Sequence, residues 1–134
     1  MAEIGDAINA KLLATSGVSS LCGARGYPDV LPQNATLPAF AFQAISDIPS
    51  YDFAGESGIA MARVQITCFA NHRKECNQLS TAIRTAISGQ QFTSVGTHIR
   101  QCHIDNNLAT QEQPIDGNTT WRYMKITDYQ VFYK

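Results

Sequence analysis

The stretch that decides the fold runs from residue 59 to residue 70 and reads IAMARVQITCFA. Small or apolar residues at the even positions alternate with larger and more polar residues at the odd positions, which is the period of a β-strand with two different faces. A helical pattern over residues 72–88 follows, with Asn71 as its N-cap and Gly89 as its stop. The centre of the chain is therefore predicted to be a strand followed by an amphipathic helix.

Outward from this centre, the pattern predicts one more helix and three more strands. The helix covers residues 3–16, and the strands cover residues 39–45, 97–104 and 119–133. A long connection with several prolines joins the first helix to the first strand, and a short strand is expected in it near Tyr27. This order predicts an α+β fold in two layers, with about four mainly antiparallel strands and two helices packed on one face.

The composition limits the classes of function. Apolar residues make up 44% of the 134 residues and charged residues 16%, which excludes a disordered chain and predicts a single domain over residues 1–134. The net charge is −1 and no basic cluster occurs, so we expect no nucleic-acid readout. No run approaches the roughly 20 apolar residues of a membrane span, and the first residues lack the order of a signal peptide. We therefore expect no membrane partner and a protein that stays where it is made.

The first residues of the second predicted helix carry a charge that the helix dipole disfavours. Arg73 and Lys74 place positive charge where acidic side chains are favoured. The sequence leaves two explanations open: either these side chains are solvated, or a partner neutralises them.

One constellation of cysteine and histidine residues suggests metal or nucleophilic chemistry, with Cys102 and His103 elsewhere in the chain. Cys68, His72 and Cys76 are spaced by three residues, and zinc takes thiolate and imidazole ligands. However, Cys68 belongs to the apolar face of a strand and Cys76 to the apolar stripe of a helix, whereas zinc ligands usually come in close pairs on turns. Phosphate-binding glycine loops, GxSxG and HExxH are absent from the sequence. Buried thiols are therefore favoured, with no metal and no cofactor.

Two irregular segments carry acidic and aromatic residues. Residues 47–58 are predicted to form a projecting hairpin loop, and residues 105–118 a second loop. Acids in such loops are far more often solvated or bound to a partner's basic groups than paired for acid–base catalysis. Tyr51 and Phe53 either pack back onto the domain or anchor another subunit, and the sequence leaves both readings open.

Several short strings, taken in order, carry a resemblance that spans nearly the whole chain. They are KLLA at residues 11–14 through SGV at 16–18, RGYP at 25–28, LPQ at 31–33 through LPAF at 37–40, RVQITCFA at 63–70, and Tyr123 through YQV at 129–131. In their order and spacing they resemble the tail terminator and tail completion proteins of long-tailed phages, which join heads to tails.

The resemblance implies a structural protein without catalytic residues. Such a subunit forms a closed, sixfold ring with copies of itself, caps the major tail tube protein and meets the head–tail connector protein. It is implied to lie at the head-proximal end of the virion tail, after assembly in the host cytoplasm. By the same analogy the candidate contact residues are Asp47, Tyr51, Asp52, Phe53, Glu56, Arg63, Asp105 and Asp116.

Two alternatives stay open beside this reading. The first is a head–tail connector or another minor tail component, since both are small domains of the same broad class. The second is a small enzyme or ligand-binding domain that uses cysteine and histidine.

Overall fold

The computed structural model describes residues 4–32, 36–112 and 121–134. Its three helices are α1 Ile4–Ala14, α2 Ser16–Cys22 and α3 Arg73–Ile87. Its six strands are β1 Gly26–Pro28, β2 Ala39–Asp52, β3 Gly55–Ala70, β4 Phe92–Ser94, β5 Thr97–Glu112 and β6 Arg122–Tyr133. None of the helices in these ranges is long and apolar enough to cross a membrane.

The strands form one mixed sheet that curls into half of a barrel, in the order β1-β2-β3-β6-β5-β4. β1 is parallel to β2, and every other neighbouring pair is antiparallel. The prediction of about four mainly antiparallel strands with two helices was therefore wrong. β1 is the short strand expected near Tyr27, whereas β4 was not predicted, because its three residues are too few to produce a readable period. Helix α2 is separate from α1 because Thr15 between them has extended backbone angles.

The strands are also longer than the sequence pattern predicts. Residues 47–52 and 55–58, predicted to lie in a loop, belong to β2 and β3, and only Phe53 and Ala54 form the turn. Residues 105–112 of the second predicted loop belong to β5. Pairing with a long neighbouring strand holds these residues in the sheet, although Asp, Asn and Pro have low strand propensity.

One core lies between the helices and one face of the sheet. The even-numbered residues of β3 from Ala62 to Cys68 are buried there, as the alternation predicts, and they meet the apolar stripes of α1 and α3. The N-cap of α3 is His72 rather than the predicted Asn71. The odd-numbered residues of β3, among them Arg63 and Gln65, point to the opposite face. That face, which has no helix packed on it within the described residues, is the uncovered face below.

Candidate functional site: an exposed arm and a polar sheet face

The outer part of the β2–β3 hairpin leaves the core, and we name residues 43–59 the arm. Residues 39–42 of β2 are at most 5% exposed. From residue 43 to residue 52 every residue of the same strand is exposed except Pro49, which is half-buried. The change comes where β1 stops pairing, since the partners of β1 in β2 are residues 40–42. Residues 43–49 of the arm still pair with residues 60–65 of β3, which also pair with β6, and beyond them the arm ends in a two-stranded ribbon.

The arm carries most of the large apolar side chains that face solvent. Scattered exposed apolar residues are normal on a protein surface, but several on one element mark a contact surface. Within the described part of the chain, nine large apolar side chains are exposed, and five of them lie on the arm: Ile45, Ile48, Tyr51, Phe53 and Ile59. Tyr51 is 69% exposed and Phe53, at the turn, is fully exposed. Neither aromatic ring packs back onto the body, so one of the two readings left open by the sequence is excluded.

The two acids of the outer β2 strand make contacts within the chain. The Tyr133 hydroxyl donates a hydrogen bond to Asp47 Oδ2. Asp52 Oδ1 accepts a hydrogen bond of 2.8 Å from the Ala54 backbone N–H, which closes the turn around Phe53. These carboxylates therefore shape the arm as well as giving it negative charge. Glu56, the third acid of the arm, lies in β3.

Arg63 and Asp105, which are 42 residues apart in sequence, form an ion pair on the uncovered face. Asp105 lies at a break in the β5–β6 register between Ile104 and Asn106, and such a bulge changes the direction of a side chain. The pair lines a depression of about 130 Å³ together with Ser46 and Gln130. Both side chains are 44% exposed, so solvent screens their attraction. Asp116, the remaining candidate, lies outside the described residues.

Hydrogen bonds between neighbouring strands cross the same face. Gln65 Nε2 donates to Asp128 Oδ1 over 3.1 Å, and His103 Nε2 lies 2.7 Å from Gln130 Oε1. Sequence reasoning missed this network, although the alternation of β3 had placed Gln65 away from the core. These polar side chains of the uncovered face are therefore hydrogen-bonded within the chain, and they need no partner protein to supply those hydrogen bonds.

The four cysteines are buried and reduced. Burial raises the pKa of the Cys102 thiol to about 12. Burial is also the main cause of the raised pKa of Cys68, and the neighbouring Cys76 and Cys22 thiols add to it. Such thiols stay protonated near neutral pH, and thiolate is the form that attacks or binds metal. In the described ranges no three His, Cys, Asp or Glu side chains come together as a metal site.

Arg73 shows how the chain uses the positive charge at the start of α3. Its guanidinium donates to the Met124 carbonyl over 3.0 Å and to the Thr110 carbonyl over 2.6 Å. It also lies 5.1 Å from the centre of the Tyr123 ring, in cation–π range. Arg73 therefore ties α3 to β5 and β6, which neither sequence explanation had proposed. Lys74 is exposed.

Comparisons with known proteins agree with this architecture. The model of one protein family, described as Tail completion protein gp17, matches residues 6–122, which is most of the chain. Among solved structures, a chain from a structure titled "Virion of native gene transfer agent (GTA) particle" has a similar fold, with a TM-score of 0.68. That match has 13% sequence identity and covers 96% of this chain and 94% of the other. No protein with a curated description matches the chain.

Proposed function

Since the chain belongs to the tail completion protein gp17 family and is a structural protein of a virion tail, we propose that it works as one domain that closes into a sixfold ring. The ring caps the major tail tube protein on one side and meets the head–tail connector protein on the other. Its place is the head-proximal end of the tail, after assembly in the host cytoplasm.

The exposed arm is the observation that carries this proposal. A ring with cyclic symmetry uses one heterologous contact repeatedly, so each subunit needs two different complementary surfaces. The arm, which has apolar side chains at Ile48, Tyr51 and Phe53, suits one of these surfaces. It has three acidic and no basic residues, whereas the remainder of the chain has ten basic and eight acidic residues. The arm is thus attracted to the body of another copy, in addition to its apolar contacts.

The candidate residues have different parts in this proposal. Tyr51 and Phe53 are the apolar anchors, while Asp47, Asp52 and Glu56 supply the negative charge of the arm. Arg63 and Asp105 flank the arm on the uncovered face and form a polar rim. Asp116, which lies outside the described residues, is a candidate from the family resemblance alone. Such a subunit catalyses no reaction, and the raised pKa values of the buried thiols support this, because a nucleophilic cysteine needs the thiolate.

Light scattering of the purified protein over a range of concentrations, alone and mixed with tail tubes, tests the proposal. We expect the mass of six copies in at least one of the two conditions. The variant Tyr51→Ser/Phe53→Ser should stay monomeric and fail to join tails, with an unchanged circular dichroism spectrum. The matched control is Val30→Ser/Val95→Ser, which removes two exposed apolar side chains outside the arm and should assemble normally.

Two results would contradict the proposal. A wild-type chain that stays monomeric with and without tubes would favour a connector or a binding domain. A Tyr51→Ser/Phe53→Ser variant that assembles and joins tails like the wild type would show that the arm is not the contact.

A further inference from the structure

Two long strand edges of the sheet have no strand beside them within the described residues. On the β2 side, β1 pairs with residues 40–42, and the Asp29 N–H donates to the Phe42 carbonyl. Within the described residues, no strand lies beside the outer edge of residues 43–52. On the β5 side, β4 pairs with residues 97–99, and the Gly89 N–H donates to the Cys102 carbonyl. No described strand lies beside the outer edge of residues 103–112. Each open edge is ten residues long, and each presents backbone donors and acceptors to its surroundings.

The two edges point in directions that allow them to pair. β2 is antiparallel to β3, β3 to β6, and β6 to β5, so β2 and β5 run in opposite directions. Rotation about a ring axis does not reverse a strand with respect to that axis. The β2 edge of one copy and the β5 edge of the next copy therefore meet as antiparallel strands, whatever the number of copies in the ring.

The covered ends of the two edges are complementary. β1 covers the beginning of β2, and β4 covers the beginning of β5. Because the strands run in opposite directions, these two covers lie at opposite ends of the sheet. When residues 44–52 of one copy pair with residues 104–112 of the next, β1 of one copy lies beyond one end of the paired region and β4 of the next copy lies beyond the other end. Neither short strand obstructs the pairing.

The side chains on the two edges also match. Ile48 pairs with Met61 and Leu108 pairs with Ile126, which places both side chains on the uncovered face. They are 56% and 53% exposed. A register that pairs residues 44–52 with residues 104–112 brings Ile48 beside Leu108 on the uncovered face, and facing apolar pairs of this kind stabilise antiparallel strands. Pro49 removes one donor from the β2 edge, so the other backbone groups and this apolar pair carry the contact.

We infer that, in the ring proposed above, the outer edge of β2 in one copy pairs with the outer edge of β5 in the next copy, with Ile48 beside Leu108. The inference rests on the proposed ring and identifies its second surface. Strand addition at an open edge is a general mode of protein association, in which the backbone supplies affinity and side chains fix the register. It also explains how these long edges avoid unspecific pairing in the assembled protein.

Disulfide trapping in the assembled protein tests the inference. The four native thiols are buried, so cysteines introduced at the edges are the ones that react. Ile48→Cys combined with Leu108→Cys should give, under mild oxidation, a ladder of covalent oligomers up to the full ring. Ser46→Cys combined with Thr110→Cys, the next facing positions on the same face, keeps both apolar side chains and should give the same ladder. Ile48→Cys combined with Thr85→Cys on the exposed side of α3 is the matched control and should stay uncrosslinked.

The outcomes separate this inference from the proposed ring. Ladders from both edge pairs, at several times the yield of the control, support the edge pairing. A ring of normal mass that gives no ladder with either edge pair overturns the edge pairing and leaves the ring standing. Equal yields from the edge pairs and the control indicate random collision and also overturn it. A wild-type chain that never forms a ring overturns both proposals.

Discussion

The two halves of β2 have opposite surroundings although they belong to one continuous strand. Residues 39–42 are buried beneath the helices and beside β1, whereas residues 43–52 are exposed on the arm. Both halves contain apolar side chains, so composition alone does not explain the difference. The inner half is buried because α1 and β1 cover it, and the cover ends at residue 42. The comparison shows that one strand contributes to the core with its inner half and, where the cover ends, presents the exposed edge that we propose contacts another copy.

The largest effect should come from truncating an aromatic ring in the inner half. Phe40 is fully buried, so Phe40→Ala should lower the free energy of unfolding by about 3–5 kcal/mol. Phe53→Ala on the arm is the matched control and should change it by less than about 0.5 kcal/mol, because an exposed ring leaves no cavity. Denaturant unfolding of the monomer measures both values. Similar losses from the two variants would contradict the distinction between the halves.

A second prediction concerns the close approach of β1 to the inner half. A Cβ atom at Gly26 would lie 2.5 Å from Phe40 Cζ and 2.4 Å from Asn9 Oδ1, so both side chains or the β1 backbone must move. We expect Gly26→Ala to cost about 3 kcal/mol, the upper end for overpacking. Gly17→Ala is the control, since no atom lies within 4 Å of its Cβ position in α2 and alanine favours helix. Thermal unfolding that shows Gly26→Ala as stable as Gly17→Ala would argue against the tight packing of β1.

Removing the Arg73 hydrogen bonds that join α3 to β5 and β6 should have an intermediate effect on stability. Arg73→Met removes two hydrogen bonds from a charged donor and should lower stability by about 2 kcal/mol. Lys74→Met, one residue further on, changes the same charge at an exposed position and should be nearly neutral. Chemical denaturation of both variants provides the comparison, and equal losses would mean that only the charge matters.

The smallest effect should come from the ion pair on the uncovered face. Arg63 and Asp105 are both 44% exposed, so a double-mutant cycle with alanine should give a coupling energy of at most about 1 kcal/mol, which decreases as salt is added. A coupling energy of several kcal/mol that is insensitive to salt would mean that the two side chains are much less exposed to solvent than the structure shows.

Much of the sheet could be predicted from local patterns. The alternation at residues 59–70 placed β3 and its buried face correctly, and the apolar stripe placed α3. The outer half of β2 and the end of β5 could not be predicted this way. Residues such as Asp47, Pro49 and Asn106 have low strand propensity, and their strand structure depends on partners far away in sequence.

The contacts of the candidate residues were less predictable than the elements. The sequence identified Asp47, Arg63 and Asp105 as contact candidates, yet it gave no sign that Asp47 binds Tyr133 or that Arg63 meets Asp105. These pairs are formed by strand order, bulges and register, which one sequence does not determine. The exposure of Tyr51 and Phe53 depends likewise on how far the strands extend beyond the helices.

Amide hydrogen exchange along β2, in the assembled protein and in the monomeric Tyr51→Ser/Phe53→Ser variant, tests most directly whether a second copy covers the arm. The Phe40 N–H, which donates to the Arg25 carbonyl, should exchange slowly in both. Amides of residues 43–52 that point away from β3 should exchange at least about tenfold more slowly in the assembled protein than in the variant. Equal exchange of these amides in the two states would contradict the account.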